Sequence, residues 1–286
     1  MRWAVSWRQS VWVGAQRRGA SIMASMLQIT STLIERQTSG PSQELRLRAP
    51  VLARALAPGQ AILVRAGWGL EPYLRRTFHA IAIDDETWTL RVPPGGDWGH
   101  AWLRAAPLGT ELDCLGPVGI GFSLPAKARN VLCLGEGDAA WALLPVIALA
   151  DAAGVSVTLA VEALTTRELL PAQRLPATVE YHTALRQRRP ITRPGAAPLL
   201  EGVAQFLPEL LPWADAVMAA GSLEFYATLA TAVRAAHFEL THGFAQVLYP
   251  ATFLCGVGAC QACVADLHGG RRRVCQRGPV LDLAEV

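Results

Sequence analysis

From Met26 to about Pro125, apolar and polar residues alternate in short runs closed by glycine, proline or acidic residues. The runs are LQITSTLIER (27–36), QELRLRAP (43–50), QAILVRAG (60–67), FHAIAID (78–84), TWTLRVP (87–93) and TELDCLGPVG (110–119). A period of two with turn residues between runs predicts an antiparallel β-barrel or sandwich. Beyond Lys127 the rhythm changes. NVLCLGEG (130–137) is an apolar strand ending in glycines, a helix begins at Asp138, and the strand VSVTLAVE (155–162) follows. After a Pro- and Arg-rich connection come the strand ADAVMAAG (214–221) and the helix LEFYATLATAVRAAHF (223–238). Strand, glycine turn, helix and strand in succession predict a Rossmann-like parallel α/β domain.

These patterns divide the 286 residues into four parts: an extension 1–25, expected to be disordered or a mis-assigned start, a β-barrel 26–125, an α/β domain 126–243 and a small cysteine domain 244–286. The extension holds four arginines and three tryptophans without an acid, so an amphipathic membrane-surface segment is its competing reading. RQRRPITRPGAAP, from Arg186, reads as a mobile loop. The longest apolar helical stretch, from Ala139, is broken by Asp151 and is too short for a bilayer span of ~20 residues. Net charge is only +3 with the basic residues dispersed, which makes nucleic acid a poor partner. Arginine supplies 25 of the 26 basic residues, so chemistry resting on a lysine amine has only Lys127 to draw on.

Four of the six cysteines crowd into the tail as C-x4-C-x2-C-x11-C: Cys255, Cys260, Cys263 and Cys275. The first three have the spacing of a plant-type [2Fe–2S] ligand loop. Gly256, Gly258 and Ala259 are the small residues that such a tight wrap requires, and LHGGRRR before Cys275 reads as a hairpin. A structural zinc site competes, although zinc knuckles come as two C-x2-C pairs and only one is present. Unliganded core thiols are a further reading. Cys114 and Cys133 sit in predicted strands and are given no ligand role. Clustered thiols without a disulfide framework or a cleavable leader point to a reducing, cytoplasmic setting.

Three stretches carry a resemblance to the electron-transfer subunit of class B dihydroorotate dehydrogenase, within the wider ferredoxin-reductase group. LRRTFHAIAI (74–83) resembles that family's flavin signature, LRAAPLGTELDCLGPVGIGF (103–122) its barrel-closing segment, and LCGVGACQACVAD with RRRVCQRGPVL its cluster domain. The resemblance implies FAD on the barrel, held by Arg76, Thr77, Phe78 and His79 and by Gly99 and His100 at a helix start. It implies a [2Fe–2S] cluster on the four tail cysteines, and a dihydroorotate dehydrogenase catalytic subunit or a related flavoenzyme as partner in a hetero-oligomer. Chemically, Arg76 offers a donor fork to a pyrophosphate and a helix start offers free N–H groups. His79 and His100 replace the small hydroxyl residues of the family.

The nicotinamide landmarks depart further. Where the family has a glycine-rich turn, this chain reads GEGDAAWALLP (135–145), placing Glu136 and Asp138 where phosphate charges would sit and adding the bulk of Trp141. AAGSLEF (219–225) replaces the family's later Cys-Gly-Pro. Loss or weakening of NADH use is therefore expected, with Glu162 as the acid available for a ribose if it persists. Arg271, Arg272, Arg273 and Arg277 surround Cys275 and make either a docking rim for an acidic partner or a solvated hairpin. No acid/base or nucleophilic catalytic set stands out. The functional expectation is an electron-relay flavoprotein of pyrimidine biosynthesis; the rival is a non-enzymatic iron–sulfur or zinc-binding assembly module.

Overall fold

The structure, a computed structural model, describes residues 26–67, 73–186 and 202–286. The extension 1–25 and all of the arginine-rich loop beyond Arg186 lie outside these residues.

The N-terminal part holds β1 (Leu27–Ser39), β2 (Ser42–Arg48), α1 (Pro50–Ala55), β3 (Ala61–Arg65), β4 (Arg76–His79), β5 (Ala82–Ile83), β6 (Thr87–Val92), α2 (Trp98–Ala105) and β7 (Glu111–Val118). The strands form one antiparallel sheet in the order β4-β3-β7-β1-β2-β6-β5. It curls around Leu33, Leu45, Leu47, Ile62, Trp88 and Leu90, all fully buried. Alternation along β2 turns Glu44 to the opposite face from Leu45 and Leu47, where it is buried and meets Arg174 of the α/β part.

The second part comprises β8 (Asn130–Glu136), α3 (Leu144–Ala152), β9 (Ser156–Ala163), β10 (Glu180–Leu185), α4 (Leu207–Trp213), β11 (Ala216–Ala220), α5 (Leu223–His237) and β12 (Ala245–Leu248). These strands run parallel, with helices on both faces. Their burial explains the near-continuous apolar sequences of β8 and β11, since both faces are covered. β12 follows the expected boundary at 243 but pairs with β11, so it belongs to this sheet. The helix expected from Asp138 begins differently. Gly137–Leu143 wind as a 3-10 helix, and the α-helix starts only at Leu144, next to Pro145, whose fixed φ suits a first turn.

The tail holds the hairpin β13 (Val264–Leu267) and β14 (Gly270–Arg273), the single turn α6 (Val274–Arg277) and β15 (Val280–Asp282). β15 returns to pair antiparallel with β12, completing the six-stranded order β10-β9-β8-β11-β12-β15. The tail also touches the barrel at the GPVGIGF phrase. Gly119 lies against the tail so closely that a Cβ there would sit 2.0 Å from the carbonyl oxygen of Gly278. Phe253, Cys263 and Cys275 share a buried core with Leu63 and Val118 of the barrel and with Leu132 and Val247 of the parallel sheet.

Candidate metal centre and flavin site

The segment between β12 and β13 carries three of the tail cysteines in a loop without regular structure. It is anchored at Phe253, which is fully buried. Thr77 Oγ1 accepts from Phe253 N at 2.8 Å and donates to Phe253 O at 3.3 Å. The loop then turns back on itself. Gly258 has φ of +75°, a conformation that L side chains resist, and a Cβ there would meet the Gln276 amide at 2.5 Å.

Backbone N–H groups of Cys260, Val257 and Ala259 point at the Cys255 sulfur. Burial alone would raise its pKa, but these donors outweigh burial and bring the thiol down to about 6. Cys275 has the opposite fate: burial, and then the neighbouring Cys263, push it up to about 12. Cys260 thus neighbours Cys255, and Cys263 neighbours Cys275. Cys275 N also donates to Cys263 Sγ at 3.5 Å. Four cysteines at C-x4-C-x2-C-x11-C are the donor set that a pair of bridged irons takes. The residues fit a two-iron cluster. Cys263 and Cys275 are buried, Cys255 is half-buried and Cys260 is exposed, so one side of the site faces solvent.

The arginine hairpin divides its labour. Arg273 NH1 donates to Gly258 O at 3.1 Å and so braces the cysteine loop, while Arg271 pairs with Asp266 across the hairpin at 3.3 Å. Cys114 and Cys133 are buried in strands, and burial raises both thiols to about 12, as suits inert core residues.

The expected flavin residues come together on β4 and α2. Arg76 and Phe78 share one face of β4, toward α2; Thr77 and His79 share the other, toward the cysteine loop and the Gly59 turn. Gly99 has no side chain to obstruct Arg76: a Cβ there would lie 2.2 Å from Arg76 Nε. The rings of Phe78 and His100 meet at 5.7 Å. This gives a guanidinium fork, a helix start and an aromatic wall in one groove, which fits a dinucleotide flavin. Three of the expected roles differ in detail. Arg76 is engaged by Asp97, with Nε and NH2 at 3.0 and 2.8 Å from Oδ2. Thr77 spends its hydroxyl on Phe253. His79 Nδ1 lies 3.1 Å from Gly59 O and 3.3 Å from Gln60 O, so it serves the barrel. Burial lowers the His79 pKa, the two carbonyls pulling weakly the other way, and the neutral ring donates from Nδ1.

At the carboxyl ends of the parallel strands, the crevice between β8 and β11 is the switch point where open α/β sheets take ligands. Here Glu136 Oε2 accepts from Ser222 N at 2.7 Å and bridges that crevice. Arg186 NH1 reaches Glu136 at 3.3 Å and Glu162 at 3.7 Å, and its NH2 reaches Glu224 at 2.7 Å. Glu162, the acid available for a ribose, is buried and accepts from Val203 N at 2.8 Å. Burial raises its pKa, with the Val203 N–H and Arg186 opposing.

Asp138 and Trp141 do not line the crevice. Asp138 accepts from Arg91 Nε of β6 at 2.9 Å, and the Arg91 guanidinium lies over the Trp141 ring at 4.0 Å. Arg91 also approaches Glu44 at 3.7 Å, and Arg174 pairs with Glu44. The residues that spoil a glycine-rich turn therefore clasp the α/β part to the barrel, a role that no spacing rule signals.

Residues 251–286 match the family described as the iron–sulfur cluster binding domain of dihydroorotate dehydrogenase B. The tail is similar to that cluster domain. The likeness to dihydroorotate dehydrogenase B extends beyond the tail. The electron transfer subunit of dihydroorotate dehydrogenase B (NAD(+)) from Shouchella clausii (strain KSM-K16) is 27% identical over 252 residues, spanning 86% of this chain and 92% of that protein. The subunit of the same name from Geobacillus kaustophilus (strain HTA426) is 28% identical over 255 residues, 85% of this chain and 91% of its own. Among solved structures, an NADH-dependent reduced ferredoxin-NADP oxidoreductase superposes with a TM-score of 0.72 at 18% identity, covering 90% of this chain and 89% of the other. The ferredoxin reductase of carbazole 1,9a-dioxygenase gives 0.57 at 19% identity, covering 75% and 66%. The fold is thus ferredoxin-reductase-like. No helix among the described residues is long and apolar enough to cross a membrane.

Proposed function

We propose that this chain is an electron-transfer subunit that relays electrons between FAD and a [2Fe–2S] cluster, in a hetero-oligomer with a catalytic flavoenzyme of the dihydroorotate dehydrogenase kind. FAD accepts two electrons and releases them singly, while a two-iron cluster carries one at a time. Arg76, the start of α2 at Gly99 and His100, and the Phe78 wall would hold the flavin; Thr77 and His79 support the strand from behind. Cys255, Cys260, Cys263 and Cys275 would hold the irons. On this reading residues 26–125 form the flavin domain, the segment from 126 through β12 the α/β domain, and the remainder the cluster segment.

The observation that carries the proposal is the gathering of the four tail cysteines around a loop that is hydrogen-bonded to the flavin strand. A relay needs its two carriers close and rigidly related, and the Thr77–Phe253 contact supplies that relation. The test is anaerobic purification of the full chain with flavin, iron and acid-labile sulfide assayed together. The expected result is one flavin to two irons and two sulfides, with a paramagnetic signal after dithionite. Engagement of Arg76 by Asp97 favours a second reading, a non-enzymatic module, and a colourless zinc protein would select it.

The same reading includes weakening or loss of nicotinamide use. The Glu136–Ser222 bridge and the Arg186 carboxylate cluster support it, because they fill the crevice with the chain's own partners and leave carboxylates where phosphates would approach. Rapid mixing of the loaded protein with NADH is expected to leave the flavin oxidised; prompt bleaching followed by cluster reduction refutes it.

A further inference from the structure

Asp97 lies where donors of Arg76 and of the start of α2 converge. Arg76 Nε and NH2 donate to its Oδ2 at 3.0 and 2.8 Å, and His100 N, in the first turn of α2, donates to its Oδ1 at 3.1 Å. His100 Nδ1 lies 2.8 Å from the same Oδ1. A guanidinium fork and the free N–H groups of a helix start are the donors a phosphate group takes. The carboxylate therefore marks an anion position already filled by the chain.

Its placement is fixed from outside. Arg104 NH1 donates to Pro93 O at 2.8 Å and to Gly95 O at 2.7 Å, pinning the turn that delivers Asp97 to the helix start. The Arg76 guanidinium, and after it His100, hold the Asp97 carboxyl far below the usual range, so it remains an anion at neutral pH. Yet its side chain is 54% exposed, against 14% for Arg76. Rotation about the Asp97 Cα–Cβ bond can carry the carboxylate into water while Arg76 stays in the groove.

We propose that Asp97 is an internal anion that competes with the pyrophosphate of FAD for Arg76 and the start of α2, and thereby sets how tightly the chain holds phosphate-bearing flavins. This rests on the flavin reading above. A flavin without phosphate does not meet the competition, so Asp97 also weights the site against FAD relative to riboflavin.

The experiment is equilibrium binding of FAD and of riboflavin to the flavin-free full chain, followed by flavin fluorescence, for wild type, Asp97→Asn and Asp97→Ser. Asparagine and serine are both good helix N-caps, so α2 keeps its start in each variant. Removal of one anion from beside a phosphate is expected to tighten FAD by about tenfold in both variants and leave riboflavin unchanged. Wild-type affinity for FAD equal to or greater than that of both variants overturns the proposal while leaving the flavin reading intact, as does equal tightening of FAD and riboflavin. Failure of all three proteins to bind FAD overturns both.

Discussion

Replacing Thr77 by valine tests the contact between the flavin strand and the cysteine loop. Valine keeps the β-branched shape that suits β4 and removes the hydroxyl, so packing against Phe253 is retained while both hydrogen bonds go. Phe253 is fully buried, and its N–H has no other partner among the described residues. A buried donor left without a partner costs about 1–3 kcal/mol, more than the net worth of an ordinary hydrogen bond. Taking ~2 kcal/mol, the apparent Tm of a chain of this size falls by about 4–8 °C. Thr77→Ser restores the hydroxyl and is expected to recover most of the loss. Thermal unfolding followed by circular dichroism gives the size of the effect. Amide hydrogen exchange at Phe253 gives its location, since exchange there should quicken in the valine variant and not in the serine one. Valine within about 0.5 kcal/mol of wild type, or serine as damaging as valine, refutes the reasoning.

Arg91→Met removes the guanidinium that Asp138, Glu44 and Trp141 share. Glu44 is then left with Arg174 alone, and a loss of about 2–3 kcal/mol is expected as a lower urea midpoint, with no loss indicating that the clasp is idle. Cys263→Ser is expected to abolish bound iron and labile sulfide, whereas Cys133→Ala keeps both; iron retained at wild-type stoichiometry in Cys263→Ser removes that residue from the ligand set. Asp84 gives a pH prediction. Burial would raise its pKa, but the Thr87 hydroxyl, the N–H groups of Glu86 and Thr87, and Arg46 together lower it. A depressed carboxyl stabilises above its unfolded pKa and loses that contribution as pH falls through the folded value. The stability gap between wild type and Asp84→Ala should thus be present at neutral pH and close below about pH 4, and a gap independent of pH contradicts it.

Much of the architecture was legible because it follows from periodicity and spacing. Alternation gave the strands of the N-terminal sheet, glycine-ended apolar runs gave the parallel sheet, and GG between LH and RRR gave the β13–β14 hairpin. β10 was not legible. EYHTAL (180–185) is an edge strand with mixed burial, and without a two-sided core its composition reads as connection. β15 was hidden for a related reason: three residues carry no period, and only the finished sheet explains them. At the site, the cysteines were visible from spacing, but what their neighbours do was not. Thr77, Asp138 and Trp141 sit in stretches that resemble cofactor motifs, yet their partners are 176, 47 and 50 residues away, at Phe253, Arg91 and Arg91. Asp97 stands two and three residues before Gly99 and His100, outside the stretch that resembles a flavin motif. Its signal was the ordinary one of an aspartate immediately before a helix.

The route of β15 has a consequence for assembly of the chain. The cysteine loop is fastened upstream at Phe253 and downstream where β15 zips onto β12, so both flanks of the thiols are tethered by protein contacts alone. Iron can accordingly be inserted into a frame already standing, and stripped from it without undoing the sheet. Damage from oxidants should then stay confined to one corner and be repairable in place.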